Sequence, residues 1–373
     1  FTWYQIAQDG VQFSPANFGN PFFTNNQFLM MAGNRADLLV KAPSTPGVYS
    51  FGVQNEVDPQ DLPTQNVTTL FSVNVTGTPA TGHAAQFTDS PPSFPPFLQD
   101  IPASDVTSTK VVTFSTLGPG QGGVHKINGK KFDGEVGELV LLNTIEEWKV
   151  VNETYGPPIS HPFHIHINPF QVTQVFDPNA ALSTAPGDGT LKTDGSAVVT
   201  GVGGTKFTAF RPGWVLNIAG QGLFTVASVQ DDAKLTLTGS GPSASTSPSG
   251  TYSYTVNTPQ YVFSDSPAPL AGQCYLNPAD PASWKPCASV GQPPAKNNIW
   301  WDVFPIPSGI SVTWAGAGTP DNPVNIPGFF KMRSRFVDYS GYYVIHCHIL
   351  AHEDRGMMTV VEVSPAASPY SHD

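Results

Sequence analysis

Short runs in which apolar and polar residues alternate recur along most of the chain. Examples are WYQIA, DLLVKA and VYSFGV near the beginning, and ELVLLNT and EEWKVVNE further on. A period of two residues is typical of a half-buried β-strand. The runs are separated by turn residues, and Asn128-Gly129 in HKINGKKF predicts a hairpin turn. The pattern therefore predicts an all-β fold.

Composition supports this prediction and excludes several functions. The 373 residues include 35 Gly and 37 Pro, and only 12% are charged, against about a quarter in average proteins. Helices stabilised by Lys/Glu pairs are therefore disfavoured. A net charge of −11 disfavours a nucleic-acid partner. No apolar run approaches the roughly 18 residues of a membrane span.

Changes in sequence texture predict the domain organisation. Residues 1–81 form a first strand-rich segment, and the Pro-rich residues 82–102 form a linker. Residues 103–373 form a second domain, which is interrupted twice. The first interruption is a Gly/Thr/Ser-rich β module at 182–256 without His or Cys, and the second is an aperiodic loop at 257–297. The module is either a ligand-binding or surface-binding element or an insertion without a role of its own.

The cysteines and glycosylation motifs indicate a secreted, extracellular or periplasmic protein. Cys274 and Cys287 lie in the aperiodic loop, where we expect a disulfide; the alternative is two free thiols. Asn-x-Ser/Thr triplets, which also arise by chance, occur at Asn66, Asn74 and Asn152.

Six of the nine histidines fall in two dense clusters. These are His161, His164 and His166 in HPFHIH, and His346, His348 and His352 around Cys347. In an extended strand, His346 and His348 share one face and Cys347 points to the other. His164 and His166 likewise share a face that His161 does not. Two sites of different chemistry are predicted, one with a thiolate and imidazoles and one with imidazoles alone.

The residues after Cys347 complete a recognisable ligand set. His352 follows at five residues and Met357 at ten, so that one helical turn can return both to the sulfur. One Cys, two His and a distant Met are the ligands of a blue-copper electron-transfer site. Structural zinc sites use paired Cys or Cys2His2 spacings that are absent here.

The chain resembles the C-terminal part of the multicopper oxidases, of the laccase and cuprous-oxidase type. HPFHIHINPFQV and RFVDYSGYYVIHCHILAHEDRGMMTVVEV carry the resemblance, while IAQDGVQF and GNRADLLVKAP are weakly similar to the middle domain of that family. The resemblance implies Greek-key cupredoxin β-barrel or sandwich domains. Residues 1–81 would be part of the middle domain, and residues 103–373 would be the C-terminal copper-binding domain.

The same resemblance implies a role for each ligand. Type 1 copper would be held by His161, Cys347, His352 and the weak axial Met357; type 2 copper by His164; and the type 3 pair by His166, His346 and His348. Cys347 would pass electrons between the centres, and Glu353 would relay protons; the alternative for Glu353 is a solvated acid at a helix end. His83, His125 and His372 occur singly and are predicted not to bind metal.

A complete trinuclear site in this family needs four more histidines, supplied as two His-x-His pairs by the first domain. No such pair precedes His161. Because the chain opens on Phe1 within a predicted strand, we expect that an N-terminal domain is missing. The alternatives are a neighbouring protomer that supplies the pairs, or a degenerate copper protein.

These options define the candidate functions. As an enzyme, the protein would take electrons from phenols or aromatic amines and pass them to dioxygen. A cuprous or other metal oxidase is a weaker alternative, since only five Met are present and thioethers are what select Cu(I). As a non-enzyme, it would be a blue electron-transfer or copper-binding protein, or a surface protein that uses the β module for adhesion.

Overall fold

The computed structural model describes residues 1–13, 30–52, 69–78, 98–117, 123–155, 159–178, 182–210, 214–244, 251–259, 261–263, 274–276, 299–312 and 324–365. The chain forms two compact units. The first unit comprises Phe1–Val175, Gln292–Ser308 and Pro327–Asp373, and the second comprises Phe176–Gly291 and Gly309–Ile326.

The regular secondary structure of the described residues is almost entirely β-strand. In chain order these are β1 Thr2–Gln8, β2 Val11–Gln12, β3 Ala36–Lys41, β4 Gly47–Phe51, β5 Phe71–Val75, β6 Ser108–Thr116, β7 His125–Ile127, β8 Val136–Leu141, β9 Thr144–Asn152, β10 His161–Ile165, β11 Phe170–Phe176, β12 Leu182–Pro186, β13 Thr190–Thr193, β14 Val198–Val202, β15 Val215–Ile218, β16 Gly222–Asp231, β17 Lys234–Leu237, β18 Tyr254–Pro259, β19 Tyr261–Phe263, β20 Cys274–Leu276, β21 Val303–Ile306, β22 Ile310–Val312, β23 Val324–Ile326, β24 Gly328–Phe336, β25 Gly341–Cys347 and β26 Met358–Ser364. The helical turns are α1 at Leu350–Glu353 and 3-10 turns at Ala103–Asp105 and Phe207–Ala209. The predicted all-β class is confirmed.

Two five-stranded sheets form a β-sandwich in the first unit. Their strand orders are β21-β10-β25-β26-β8 and β11-β24-β9-β6-β7. The β6–β9 and β8–β26 pairs are parallel, so the chain crosses between sheets instead of following a simple meander. Both sheets bury one face in a shared core, to which Phe163 and Ile345 contribute from one sheet and Trp148 and Phe330 from the other.

The burial pattern shows why these sequences form sheets. Along GFFKMRSRF, the residues from Phe330 onwards alternate between buried and half-buried positions, as the period of a strand requires. The predicted hairpin turn is confirmed: Ile127 bridges Lys130, and Asn128 and Gly129 adopt φ of 49° and 75°. These left-handed conformations are the ones that Asn and Gly accept most easily.

The first unit also contains a three-stranded sheet of order β2-β1-β3 and the β4–β5 ladder, both within the predicted segment 1–81. Of the predicted linker 82–102, only residues 98–102 are described. No helix in the described residues is long and apolar enough to span a membrane.

The second unit is built on a seven-stranded sheet of order β12-β18-β15-β16-β17-β14-β13. It has its own core, with Leu191, Phe207, Leu216 and Leu235 fully buried. The predicted module 182–256 lies within this unit. Cys287 is outside the described residues, and the predicted disulfide with Cys274 therefore stays a prediction.

Candidate metal centres

The two histidine clusters meet because β10 and β25 lie side by side. Phe163 is opposite Cys347, and His164 is opposite His346. Directly opposed residues of an antiparallel pair point to the same face of the sheet. Cys347 therefore shares the core-facing side with Phe163, whereas His164 and His346 share the other side. The alternation expected from the sequence is present in the fold.

On one side, His161, Cys347 and His352 form what we call the thiolate centre. The sulfur of Cys347 lies 3.6 Å from Nδ1 of His161 and 3.6 Å from Nδ1 of His352, and the two nitrogens are 3.3 Å apart. The centre of such a triangle is about 2 Å from each donor, which is the length of a metal–nitrogen bond. One metal ion can therefore contact all three side chains.

The thiolate centre is closed to water and its imidazoles are available as ligands. His161 and Cys347 have no exposed surface, and His352 is 1% exposed. Burial lowers the pKa of His161 well below its ordinary value, and the neighbouring His352 and His125 lower it further. Neutral imidazole is the form that binds metal.

The helical turn α1 brings His352 back to the sulfur, as expected from the spacing. The backbone N–H of Met357 donates to the carbonyl of His352 at 3.0 Å, and the N–H of Cys347 donates to the carbonyl of Met357 at 3.1 Å. Met357 is fully buried and belongs to the same core cluster as Cys347. Met357, the last residue of the predicted ligand set, is thus held next to Cys347 and His352 by backbone hydrogen bonds.

On the other side, His164, His166, His346 and His348 form what we call the imidazole centre. Nε2 of His166 and Nε2 of His346 are 3.3 Å apart, and His164 offers a ring nitrogen within reach of both. The His348 ring centroid lies 5.1 Å from that of His164 and 5.2 Å from that of His346. All four imidazoles predicted to share a site are therefore gathered.

Backbone carbonyls orient two of these rings. Nδ1 of His164 donates to the carbonyl of Asp302 at 2.8 Å, and Nδ1 of His346 lies 3.2 Å from the carbonyl of Cys347. Each bond leaves Nε2 as the ring nitrogen that could bind a metal ion. Burial, partly offset by the Asp302 carbonyl, lowers the pKa of His164 to about 4, so its ring is neutral at pH 7.

The sequence profile described as "Multicopper oxidase" matches residues 100–221 and 287–367, which is more than half of the chain and includes every residue of both centres. The chain belongs to the multicopper oxidase family. No curated protein matches it significantly.

Several solved multicopper oxidases are similar to this chain at low sequence identity. The metallo-oxidase from Campylobacter jejuni is 14% identical, with a TM-score of 0.44 over 97% of this chain and 48% of that one. McoA from Aquifex aeolicus is also 14% identical, with a TM-score of 0.45 over 97% and 49%. The laccase from Botrytis aclada is 12% identical, with a TM-score of 0.42 over 98% and 49%. The chain spans about half the length of each.

Glu353 joins the two centres of this multicopper oxidase chain. It follows His352 on α1, and its Oε2 lies 3.2 Å from Nδ1 of His346. The carboxylate side chain is 26% exposed. Glu353 therefore contacts a ring of the imidazole centre and also reaches solvent. An acid that is only solvated at the end of a helix would not make the contact with His346.

A polar network that the sequence did not reveal supports His164. Asp9 is buried and accepts hydrogen bonds from the backbone N–H groups of Arg35 at 2.9 Å and Asp302 at 3.1 Å. The Arg35 guanidinium donates to both carboxylate oxygens of Asp302, at 2.8 and 2.6 Å. The first segment of the chain is thereby tied to the residue whose carbonyl orients His164.

Replacing Asp9 by alanine is expected to lower the free energy of unfolding by about 3 kcal/mol, because several N–H donors around this buried carboxylate lose their acceptor. Denaturant unfolding of the metal-free protein measures this loss. Asp37→Ala is the control, since Asp37 is exposed on the neighbouring strand β3 and its loss should cost about 0.5 kcal/mol or less. Equal effects of the two substitutions would contradict the network.

The residues that surround His161 also carry no signal in the sequence. Nε2 of His161 lies 3.0 Å from the hydroxyl of Thr154 and 3.4 Å from that of Thr116. Thr154 is held in turn by Asn152, which is fully buried and donates to the carbonyls of Ile159 and Ile306. The side chain of Asn152 is thus inaccessible to glycosylation in this fold. Nothing in its Asn-x-Thr triplet indicates that Asn152 holds Thr154 beside His161.

Proposed function

We propose that this chain is the copper-binding part of a laccase-like oxidase, which takes single electrons from phenols or aromatic amines and reduces dioxygen to water. The observation that carries the proposal is the buried triangle of the Cys347 sulfur and Nδ1 of His161 and His352. A thiolate with two imidazoles and a distant thioether is the ligand set of blue copper. Bound copper would supply reversible one-electron chemistry at this centre and dioxygen reduction at the other.

The residues divide between the centres as follows. His161, Cys347, His352 and Met357 would hold type 1 copper; His164 would hold type 2 copper; and His166, His346 and His348 would hold the type 3 pair. The donors fit these roles because the first set combines soft sulfur with imidazole and the second is imidazole alone. Cys347 is bonded to both His346 and His348, so a covalent path joins the centres.

Glu353 would supply protons to the imidazole centre. Dioxygen reduction consumes protons, and a carboxylate that reaches solvent and contacts a ligand ring is suited to deliver them. The 3.2 Å contact between Glu353 and His346 and the partial exposure of the side chain support this role. Glu353 moves protons in this proposal and does not bind metal.

The imidazole centre holds four of the eight histidines that a trinuclear site of this family uses. We infer that a further domain or a neighbouring protomer supplies the other four. The reducing substrate and dioxygen are then the small-molecule partners. The chain's loop-rich composition and the two candidate cysteines of residues 257–297 favour a secreted or periplasmic location.

Because the chain provides only four of the eight imidazoles, a second function is a candidate for the chain on its own. It would be a blue electron-transfer protein that cycles its type 1 copper without reducing dioxygen. A cuprous-oxidase role is less favoured because the chain has only five Met.

Dioxygen uptake by the copper-loaded chain with a phenolic donor distinguishes these functions. Uptake that depends on both copper and donor supports the oxidase. A blue protein that the donor bleaches, but that takes up no dioxygen alone or with a supplied His-x-His domain, supports the electron-transfer alternative. A copper-loaded protein that is not blue contradicts both.

A further inference from the structure

We propose that His125 is a positioning residue of the thiolate centre and holds both of its imidazole ligands. The inference rests on the proposed function, because it takes His161 and His352 to be copper ligands. The sequence predicts that His125, which occurs singly, does not bind metal. In the structure it begins strand β7, is 3% exposed and lies directly against the centre.

The first contact of His125 is with His352. The two rings are stacked, with centroids 4.2 Å apart and planes inclined by 22°. His352 is carried by the single helical turn α1, and the His125 ring packs on it from strand β7, outside that turn. A ring packed face to face against the imidazole restricts rotation about its side-chain bonds, so the stack holds the plane of His352.

The second contact reaches His161 through a hydroxyl. Thr116 on β6 is paired with His125 on β7, and its Oγ1 lies 3.0 Å from Nδ1 of His125. The same oxygen lies 3.4 Å from Nε2 of His161. The β6–β7 pair thus touches one ligand by stacking and the other by hydrogen bonding.

The direction of these hydrogen bonds follows from the ligand role of His161. Its Nδ1 faces the sulfur, so its proton is on Nε2 and is donated to Thr116 as well as to the nearer Thr154. The Thr116 hydroxyl then donates its own proton to Nδ1 of His125. Partners of this kind fix the tautomer and orientation of a ligand and make it more basic.

Removing this support is expected to weaken Cu(II) binding more than Cu(I) binding. A less basic, less well-oriented imidazole stabilises the higher oxidation state less, and the reduction potential should therefore rise. Loss of an outer partner typically costs about 10- to 100-fold in metal affinity. We expect about a 10-fold loss of Cu(II) affinity for His125→Ala, with a shifted blue band.

Two conservative substitutions separate the contacts and keep the packing. His125→Phe retains an aromatic ring on His352 but removes the hydrogen-bond acceptor. Thr116→Val removes the bridging hydroxyl at almost constant volume. Thr116→Ser is the control, because serine keeps a hydroxyl at this position. His125→Phe and Thr116→Val should each raise the reduction potential, and Thr116→Ser should return it towards the wild-type value.

The experiment is a Cu(II) titration with visible spectroscopy and redox potentiometry on the full chain and these variants, together with thermal unfolding of the metal-free proteins. Raised potentials with rescue by Thr116→Ser support the proposal. Unchanged potential, band and affinity in a blue protein overturn it, even if metal-free stability falls, because His125 would then only fill the core. A wild-type chain that is not blue overturns the proposed function as well. If His125→Ala does not fold, the reduction potentials of His125→Phe and Thr116→Val test the proposal.

Discussion

Replacing Cys347 by serine should abolish the blue colour of the copper-loaded protein. The colour of a type 1 site depends on the copper–thiolate bond, and a serine hydroxyl is a hard ligand that does not replace soft sulfur. Serine is close in volume to cysteine, and His161 and His352 remain in place, so the fold should survive. Visible absorption of the loaded protein, with copper content measured on the same sample, tests the result.

The chain offers a matched control for this substitution. Cys274→Ser makes the same substitution at a cysteine of the second unit, whereas every residue of the thiolate centre belongs to the first unit. It should leave the blue band unchanged. Persistence of the band in Cys347→Ser would overturn the assignment of Cys347 as the type 1 thiolate.

The second large effect is expected for Phe163→Ala, which should destabilise the fold by about 3–5 kcal/mol. Phe163 is fully buried and makes edge-to-face contacts with Phe114 at 5.9 Å, Phe170 at 5.6 Å and Phe330 at 5.7 Å. Because these rings belong to both sheets of the sandwich, the substitution opens a cavity at their centre. Denaturant unfolding of the metal-free protein measures the loss.

Phe163→Ala should also impair metal binding at both centres. Phe163 lies opposite Cys347 in the β10–β25 register and is next to His164 along β10. Val111→Ala is the control, because Val111 is 60% exposed on β6 and its truncation should cost about 0.5 kcal/mol or less. A loss below about 1 kcal/mol for Phe163→Ala would contradict the central packing role of this ring.

The sequence was informative where chemistry follows local periodicity. The alternation in HPFHIH and HCH places Cys347 on the opposite face from His346 and His348 without reference to strand pairing, because side chains along a strand alternate between faces. The Asn128-Gly129 turn could be predicted because Asn and Gly are the residues that most easily adopt the left-handed conformation of a tight hairpin turn. The family resemblance implies a role for each candidate ligand.

The surroundings of the candidate ligands could not be predicted, because they depend on strand order. His125 and Thr116 approach His161 only because β6, β7 and β10 belong to facing sheets of one sandwich. Asp9 reaches Asp302 across most of the chain length. A single histidine or aspartate carries no periodic signal, and only the folded chain shows what it contacts.

Copper-edge X-ray absorption of the chain loaded with one equivalent of copper tests the central claim most directly. It reports the atoms bound to the metal without reference to any activity. The account predicts one short copper–sulfur bond from Cys347 and two copper–nitrogen bonds from His161 and His352. Copper bound by nitrogen and oxygen alone, with no sulfur at bonding distance, would contradict it.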